Sequence, residues 1–243
     1  MEVNAALVGP RPYVLYRIGM GASGLLVTEI FHSLQGETSL AGVPFAFIRL
    51  TGCNLRCVYC DSAYAFKGGR NMTEEQILEA IRPFAVKNVL LTGGEPLLQR
   101  GTLNLVKRLK ASGYSVSIET HGEVSIREFV DDARIIMDIK TPGSGMSRGG
   151  FKKNLSFLKI DDEIKFVITS PDDYLWAKEL VLSGTLPTRE ILFSAANVAS
   201  QMPGTFPGVE QRWLAQRILE DRLAVRLQIQ LHKIIWGANE RGV

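Results

Sequence analysis

Cysteine is nearly missing from this chain, with three in 243 residues. All three fall in one short stretch, Cys53-Asn-Leu-Arg-Cys57-Val-Tyr-Cys60. An odd number packed so tightly excludes the disulfide framework of small secreted domains. Histidine is just as scarce: between residues 33 and 120 no His occurs, and the three cysteines are the only Cys. Long apolar runs are absent too, and none approaches the ~20 residues that cross a bilayer. Met1 to Met20 lacks the basic start and continuous apolar core of a secretory signal. Nor does charge of one sign dominate, since 28 Lys and Arg face 25 Asp and Glu. No dense Lys/Arg run stands out, which argues against a nucleic-acid surface. These absences predict a cytoplasmic protein with no membrane or nucleic-acid partner.

What is present suffices for a core. Apolar residues make up 46%, and the length suits one large α/β domain. Residues 1–24, with Gly9-Pro10-Arg11-Pro12 and a glycine-rich stretch from Gly19, read as an N-terminal extension, so the domain spans 25–243. Short apolar runs predict strands at Phe45–Leu50, Asn88–Thr92, Ser115–Glu119, Arg134–Ile139, Glu163–Ile168, Glu190–Phe193 and Ala224–Ile229. Helical segments lie between them. Thr73-Glu-Glu-Gln76 is a capping-box pattern, followed by Ile77, Leu78 and Ile81 on one face and Pro83 at the end. Ser170-Pro171 supplies an N-cap with proline at the first helical position. Ala177, Leu180 and Val181 then form the expected buried stripe, and Gly184 the stop. Pro207 with Leu214 and Ile218 predicts a further helix. Strands alternating with helices argue for parallel βαβ units. Seven strands and about five helices are slightly too few for a closed eight-unit barrel, so a partial barrel or open parallel sheet fits better. Either would gather ligands at the C-terminal strand ends. There stand Arg49, Thr92 with Gly93-Gly94-Glu95, Glu119-Thr120-His121, Asp138 with Lys140, and Ser194.

Thiolates are soft ligands for zinc, copper or iron–sulfur clusters. Structural zinc sites are closed by four protein ligands, whereas a catalytic metal keeps a position open. Zinc here would need His32, His121 or His232 to fold over. Iron–sulfur clusters held by protein alone usually take four cysteines, so three leave one iron open to another ligand.

The C-x3-C-x-aromatic-C loop, with Tyr59 as the aromatic, resembles the signature of radical S-adenosylmethionine (SAM) enzymes. Thr92-Gly93-Gly94-Glu95-Pro96 after an apolar strand resembles a second mark of that superfamily, although alone it could be a plain strand-to-helix turn. The resemblance implies a [4Fe-4S] cluster on Cys53, Cys57 and Cys60. Its open iron would chelate SAM and cleave it to a 5′-deoxyadenosyl radical. It also implies an α/β fold: a partial (β/α) barrel of about six parallel strands with short N- and C-terminal additions.

More specific features flank the cysteines. Glu29-Ile-Phe-His-Ser-Leu34-Gln35-Gly36-Glu37 precedes them, Arg49 lies in the strand between, and Asp61-Ser62 follows; the chain closes with His232, Trp236 and Arg241-Gly-Val243. Together these resemble the 7-carboxy-7-deazaguanine synthase family over roughly residues 27 to 243. That family uses SAM as a regenerated cofactor, with Mg2+, to contract the ring of 6-carboxy-5,6,7,8-tetrahydropterin with loss of ammonia. The resemblance implies that Leu34, Gln35, Gly36, Glu37, Arg49, Thr92, His232 and the terminal carboxylate of Val243 meet the substrate. Tyr59, Cys60, Asp61, Gly93, Gly94, Glu95, Glu119, Asp138, Ile139, Lys140 and Ser194, Ala195, Ala196, Asn197 would meet SAM. Ser62 would ligate Mg2+. A flavodoxin or ferredoxin as electron donor and a homodimer are also implied.

Plainer roles stand beside these: a structural ion pair for Arg49, a turn cap for Ser62, a helix-end charge pairing for Glu119. Thr38 stands where many members carry Gly. Two other readings of the whole chain are an activase that installs a glycyl radical in a partner protein, and a non-catalytic zinc-binding module.

Overall fold

The computed structural model describes residues 24–196, 208–237 and 240–243. Fourteen elements follow in order: β1 (Leu25–Leu34), β2 (Pro44–Leu50), β3 (Arg70–Met72), α1 (Glu74–Ile81), β4 (Asn88–Gly93), α2 (Thr102–Ala111), β5 (Ser115–Thr120), β6 (Arg134–Asp138), β7 (Glu163–Ile168), α3 (Pro171–Leu182), β8 (Glu190–Ala195), α4 (Gln211–Glu220), β9 (Arg226–Gln228) and α5 (Leu231–Ile235). All seven expected strands are present. They form one open, curving run of seven parallel strands in the order β2-β4-β5-β6-β7-β8-β9.

The edge beside β2 is built from strands that composition did not suggest. β1 pairs antiparallel with β2, and the short β3 pairs antiparallel with β1. β1 escaped notice because Thr28, Glu29, His32 and Ser33 interrupt its apolar residues. Leu25 and Val27 are buried under the helices, but a register shift between Val27 and Glu29 turns Phe31 to the opposite face, so no single alternation runs the length of the strand.

Alternation along β2 explains the two sides of the sheet. Ala46, Ile48 and Leu50 belong to the main core with Leu91, Ile118, Ile135 and Ile164, under the helices. Phe45 and Phe47 point the other way and join Phe31, Leu90 and Ile136 in a small cluster. The Phe31 and Phe47 rings stack with centroids 4.8 Å apart. Phe31, Phe47 and Leu90 contribute to the apolar wall of the cavity described below.

The helix signals act as expected. The Thr73 hydroxyl accepts from Gln76 N at 3.2 Å while the Gln76 side chain accepts from Thr73 N at 2.9 Å. Ser170 caps α3 by accepting from Asp173 N, and Gly184 after it has φ +68°. The stripe of α3 differs from expectation. Asp173, Tyr174 and Ala177 are buried while Leu180 and Val181 pack half-covered against the core, and Tyr174 OH donates to Arg217 O on α4. Leu214 and Ile218 face the core from α4. Pro207 and residues 1–23 lie outside the described residues, and no described helix is long and apolar enough to cross a membrane.

Candidate active site

The parallel strands deliver their C-terminal ends to one cavity of about 240 Å3. The loop leaving β2 carries the three cysteines, all free, and all three line the cavity. Leu55 N donates to Cys53 Sγ at 3.4 Å, and Cys60 N donates to Cys57 O at 3.2 Å, so the loop is wound tightly. Burial raises the Cys53 thiol and pushes Cys57 up to about 11, although Lys140 pulls both the other way. Such thiols give up their protons to a metal more readily than to water. Three thiols on one cavity wall suit a cluster, in which each ligates a separate iron. Of the histidines, His32 stacks on Phe84, whereas His121 and His232 line the cavity. His121 Nδ1 accepts from Glu123 N at 3.0 Å, so Nε2 carries the proton and donates to Asn54 Oδ1 at 2.8 Å.

Gly93 and Gly94 make this loop possible. A Cβ on Gly93, whose φ is +153°, would lie 2.2 Å from Leu50 O. One on Gly94 would lie 2.2 Å from Gly52 O and 2.8 Å from Cys53 Cβ. Gly94 N donates to Leu50 O and Glu95 N to Gly52 O. The two glycines therefore let the end of β4 lie against the cysteine loop, besides exposing their own backbone to the cavity.

The segment after β1 forms another part of the wall. Gln35 is buried, and its Oε1 accepts from Glu37 N at 3.1 Å, leaving its amide NH2 as a donor. The Glu37 carboxylate accepts from Lys165 at 2.7 Å, Gln228 at 3.0 Å and Gln230 at 2.7 Å. Although burial opposes its charge, Lys165 and His232 hold it well below the usual carboxylate range. His232 covers Gly36 so closely that a Cβ there would lie 2.0 Å from Nδ1. Burial lowers the His232 imidazole, with Glu37 pulling it upward.

Arg49 enters from β2, with Nε donating to Glu29 Oε1 at 2.6 Å. Tyr64 OH donates to the same oxygen at 2.7 Å. The structural ion pair expected as its plainer role thus exists, and Arg49 lines the cavity as well. The final residues lie alongside. Arg241 sits 4.1 Å over the Tyr64 ring, and Gly242 passes Glu29 and Phe31 on the way to Val243.

Facing these residues are acids and lysines from β5, β6 and β7. Thr92 Oγ1 donates to Glu119 Oε2 at 3.2 Å. Lys140 Nζ donates to Asp138 Oδ2 at 2.8 Å and lies 5.5 Å from the Tyr59 ring centroid. Ser62 Oγ is 3.9 Å from Cys60 Sγ and makes no capping bond to the turn it precedes. Asp61 pairs with Lys233 at 2.8 Å.

Most residues named from the sequence meet in this cavity. Glu95, Ile139, Ser194 and Ala195 stand behind the wall, whereas Ala196 reaches it. Glu95 is wholly buried, accepting from Leu97 N, Thr120 Oγ1 and His121 N. Asn197 lies outside the described residues. Lys165, Tyr64, Gln230 and Lys233 line the cavity without having been singled out. For Lys165 the signal was available, since it is the lone cation inside an apolar strand, as Arg49 is. Tyr64, Gln230 and Lys233 follow no such pattern.

Residues 47–144 match the Radical SAM superfamily. The 7-carboxy-7-deazaguanine synthase of Koribacter versatilis is 44% identical over 225 residues, covering 89% of this chain and 99% of that one. Its counterpart in Thermoplasma acidophilum is 38% identical over 215 residues, covering 88% and 98%. In fold, the chain is similar to the crystal structure of QueE from Escherichia coli, with a TM-score of 0.63 over 84% of this chain and 93% of that one at 23% identity. With the cysteine loop, the glycine pair and the Gln35–Glu37 segment converging on one cavity, this extent of identity is decisive: the chain belongs to the 7-carboxy-7-deazaguanine synthase family of radical SAM enzymes.

Proposed function

We propose that this chain converts 6-carboxy-5,6,7,8-tetrahydropterin to 7-carboxy-7-deazaguanine with release of ammonia, as a carbon–nitrogen lyase in the making of 7-deazapurines such as queuosine. The observation that carries this reading is one cavity lined both by Cys53, Cys57 and Cys60 and by Gln35, Glu37, Arg49 and Thr92. Substrate and product differ by one ammonia, so the reaction is redox-neutral overall and SAM is regenerated.

Family membership implies a [4Fe-4S] cluster and SAM, which together supply hydrogen-atom abstraction when bound. The cysteine loop would hold the cluster. Tyr59, Gly94, Glu119 and the Asp138–Lys140 strand end would hold SAM, with carboxylates suited to hydroxyl and ammonium donors and glycine backbone to close approach. The Gln35 amide and Glu37 carboxylate match the mixed donor–acceptor edge of a pterin. Arg49 would grip the substrate carboxylate with the guanidinium nitrogens that Glu29 leaves available. The tail brings Val243 to the same wall, where it and His232 would close the site over the substrate. Ser62 offers a hard oxygen to Mg2+, whose remaining positions waters and substrate oxygens would fill.

On this reading residues 25–243 act as one radical SAM domain and residues 1–24 are an addition to it. A cytoplasmic homodimer served by a flavodoxin or ferredoxin fits the family. Anaerobic turnover with reductant, SAM and the carboxytetrahydropterin should yield the deazaguanine product. Cleavage of SAM with the pterin untouched would reject the substrate while leaving the radical chemistry standing.

A further inference from the structure

Lys165 is buried, with only 4% of its side chain exposed, and its ammonium faces carboxylates from three separate elements. Glu37 Oε2 lies at 2.7 Å, Asp138 Oδ2 at 3.4 Å, and Glu119 Oε1 in close contact. The ammonium donates to Glu37 and Glu119 and holds Asp138 as an ion pair. Each carboxylate is also anchored independently. Glu37 accepts from Gln228 and Gln230, Glu119 from Thr92, and Asp138 from Lys140. Glu37 stands on the segment assigned to the pterin, whereas Glu119 and Asp138 end the strands assigned to SAM.

We propose that Lys165 is a positioning residue that couples the two ligand ends of the cavity, so that SAM and the pterin strengthen each other's binding. The inference rests on the functional reading above. Three carboxylates crowded where water is scarce repel strongly unless a cation lies among them. With Lys165 in place, fixing Glu37 against one ligand also fixes the ammonium, and through it Glu119 and Asp138. The ordering cost met by the first ligand is then spared to the second, which is positive coupling and must be reciprocal. A lysine that served only to neutralise buried charge would act differently. Its loss would weaken both ligands while leaving their mutual effect unchanged.

The test is calorimetric titration of SAM into anaerobic, cluster-loaded protein, with and without saturating 6-carboxytetrahydropterin. Reductant is omitted so that no turnover occurs. In the native protein the pterin should tighten SAM by about tenfold. In Lys165→Met the factor should fall to near one with the cluster absorbance retained, and Lys165→Arg should restore most of it. Should Lys165→Met fail to fold or load its cluster, Lys165→Gln keeps a hydrogen-bond donor at that place without the charge. It should bring the factor down toward one, measured with the pterin raised until it saturates the variant. A native-sized factor in these variants, or no coupling in the native protein, would overturn the inference. If the pterin fails to bind the native protein while SAM binds, the functional reading falls and this inference with it. Binding and turnover of the pterin with coupling indifferent to Lys165 reject this inference alone.

Discussion

Glu29 and Arg49 stand opposite each other across the antiparallel β1–β2 pair, with Arg49 Nε and Glu29 Oε1 2.6 Å apart. Tyr64 OH donates to the same carboxylate oxygen, and its ring and that of Phe31 lie within 6 Å of the guanidinium. The arginine is thus locked through Nε, with its outer nitrogens directed by that lock. Arg49→Ala should raise the KM for the pterin by roughly 10- to 100-fold, the worth of a charged hydrogen-bonded contact. Iron content should remain that of the native protein. Arg49→Lys should not rescue, because a point charge cannot reproduce the fork. Steady-state kinetics with iron analysis decides it, and loss of cluster would assign Arg49 a structural role instead.

Gly36→Ala places a methyl group where His232 now sits, 2.0 Å from Nδ1. Leu231 N donates to Gly36 O at 2.9 Å, so α5 cannot shift without breaking its own tether. Overpacking of this kind costs about 1–3 kcal/mol. The variant should unfold at lower temperature and bind the pterin at least tenfold more weakly, while SAM cleavage without pterin stays near native. Unchanged pterin KM would mean that α5 is free to adjust.

Gly94→Ala should act on the cluster. Its Cβ would meet backbone, Gly52 O, at 2.2 Å, and backbone cannot swing aside as the tip of a side chain can. Anaerobic reconstitution should then give well under half the native iron per chain. Full iron loading would show that the close approach of β4 to the cysteine loop is dispensable.

Thr38 has φ +69°, a left-handed conformation in which a β-branched residue is strained. Its amide donates to Gln228 Oε1 at 2.8 Å, a bond that any residue would keep, while its hydroxyl accepts from Leu40 N at 3.1 Å. Relief of strain worth roughly 1–3 kcal/mol outweighs one exchangeable hydrogen bond worth about 1 kcal/mol. Thr38→Gly should therefore raise the unfolding midpoint by about 2–4 °C for a chain of this size. A lower midpoint by calorimetry would mean that the hydroxyl matters more than the strain.

Acid should destabilise the fold in two stages. Burial lowers the pKa values of His121 and His232 from 6.5, so both favour the neutral form when folded. The unfolded chain then takes up protons first, and stability falls as pH drops below 6.5. Glu37 is depressed from 4.5, so its contribution is intact above that value and is lost as pH falls further. Thermal midpoints of cluster-free protein from pH 8 to 3 should trace the first step and the onset of the second. His121→Gln together with His232→Gln should flatten the first, and a first step that persists in the double variant would place it on other groups.

Strand after strand was legible because seven of the nine are short apolar runs, and side-chain caps mark where α1 and α3 begin. β1 was not, since Thr28, Glu29, His32 and Ser33 break up its apolar residues and a register shift between Val27 and Glu29 interrupts its alternation. Within the site, Arg49 and Lys165 gave the same signal, a lone cation in an apolar strand. Only Arg49 adjoined recognisable neighbours. Glu95 followed the glycine pair in sequence, yet its carboxylate is taken up by Thr120, His121 and Leu97 behind the wall.

What the sequence by itself determined is local: the cysteine loop, the glycine pair, the helix caps and the alternation of strand and helix. Covalent spacing sets these over a few residues, and composition supplies enough apolar residues for a core. The tertiary structure alone decided which distant charges meet. Lys165 reaches Glu37 across 128 positions because β7 and the segment after β1 open onto one cavity. His232 rests on Gly36 because the chain returns after β9. Such contacts depend on strand order and packing, which act between segments that carry no mark of one another in the chain.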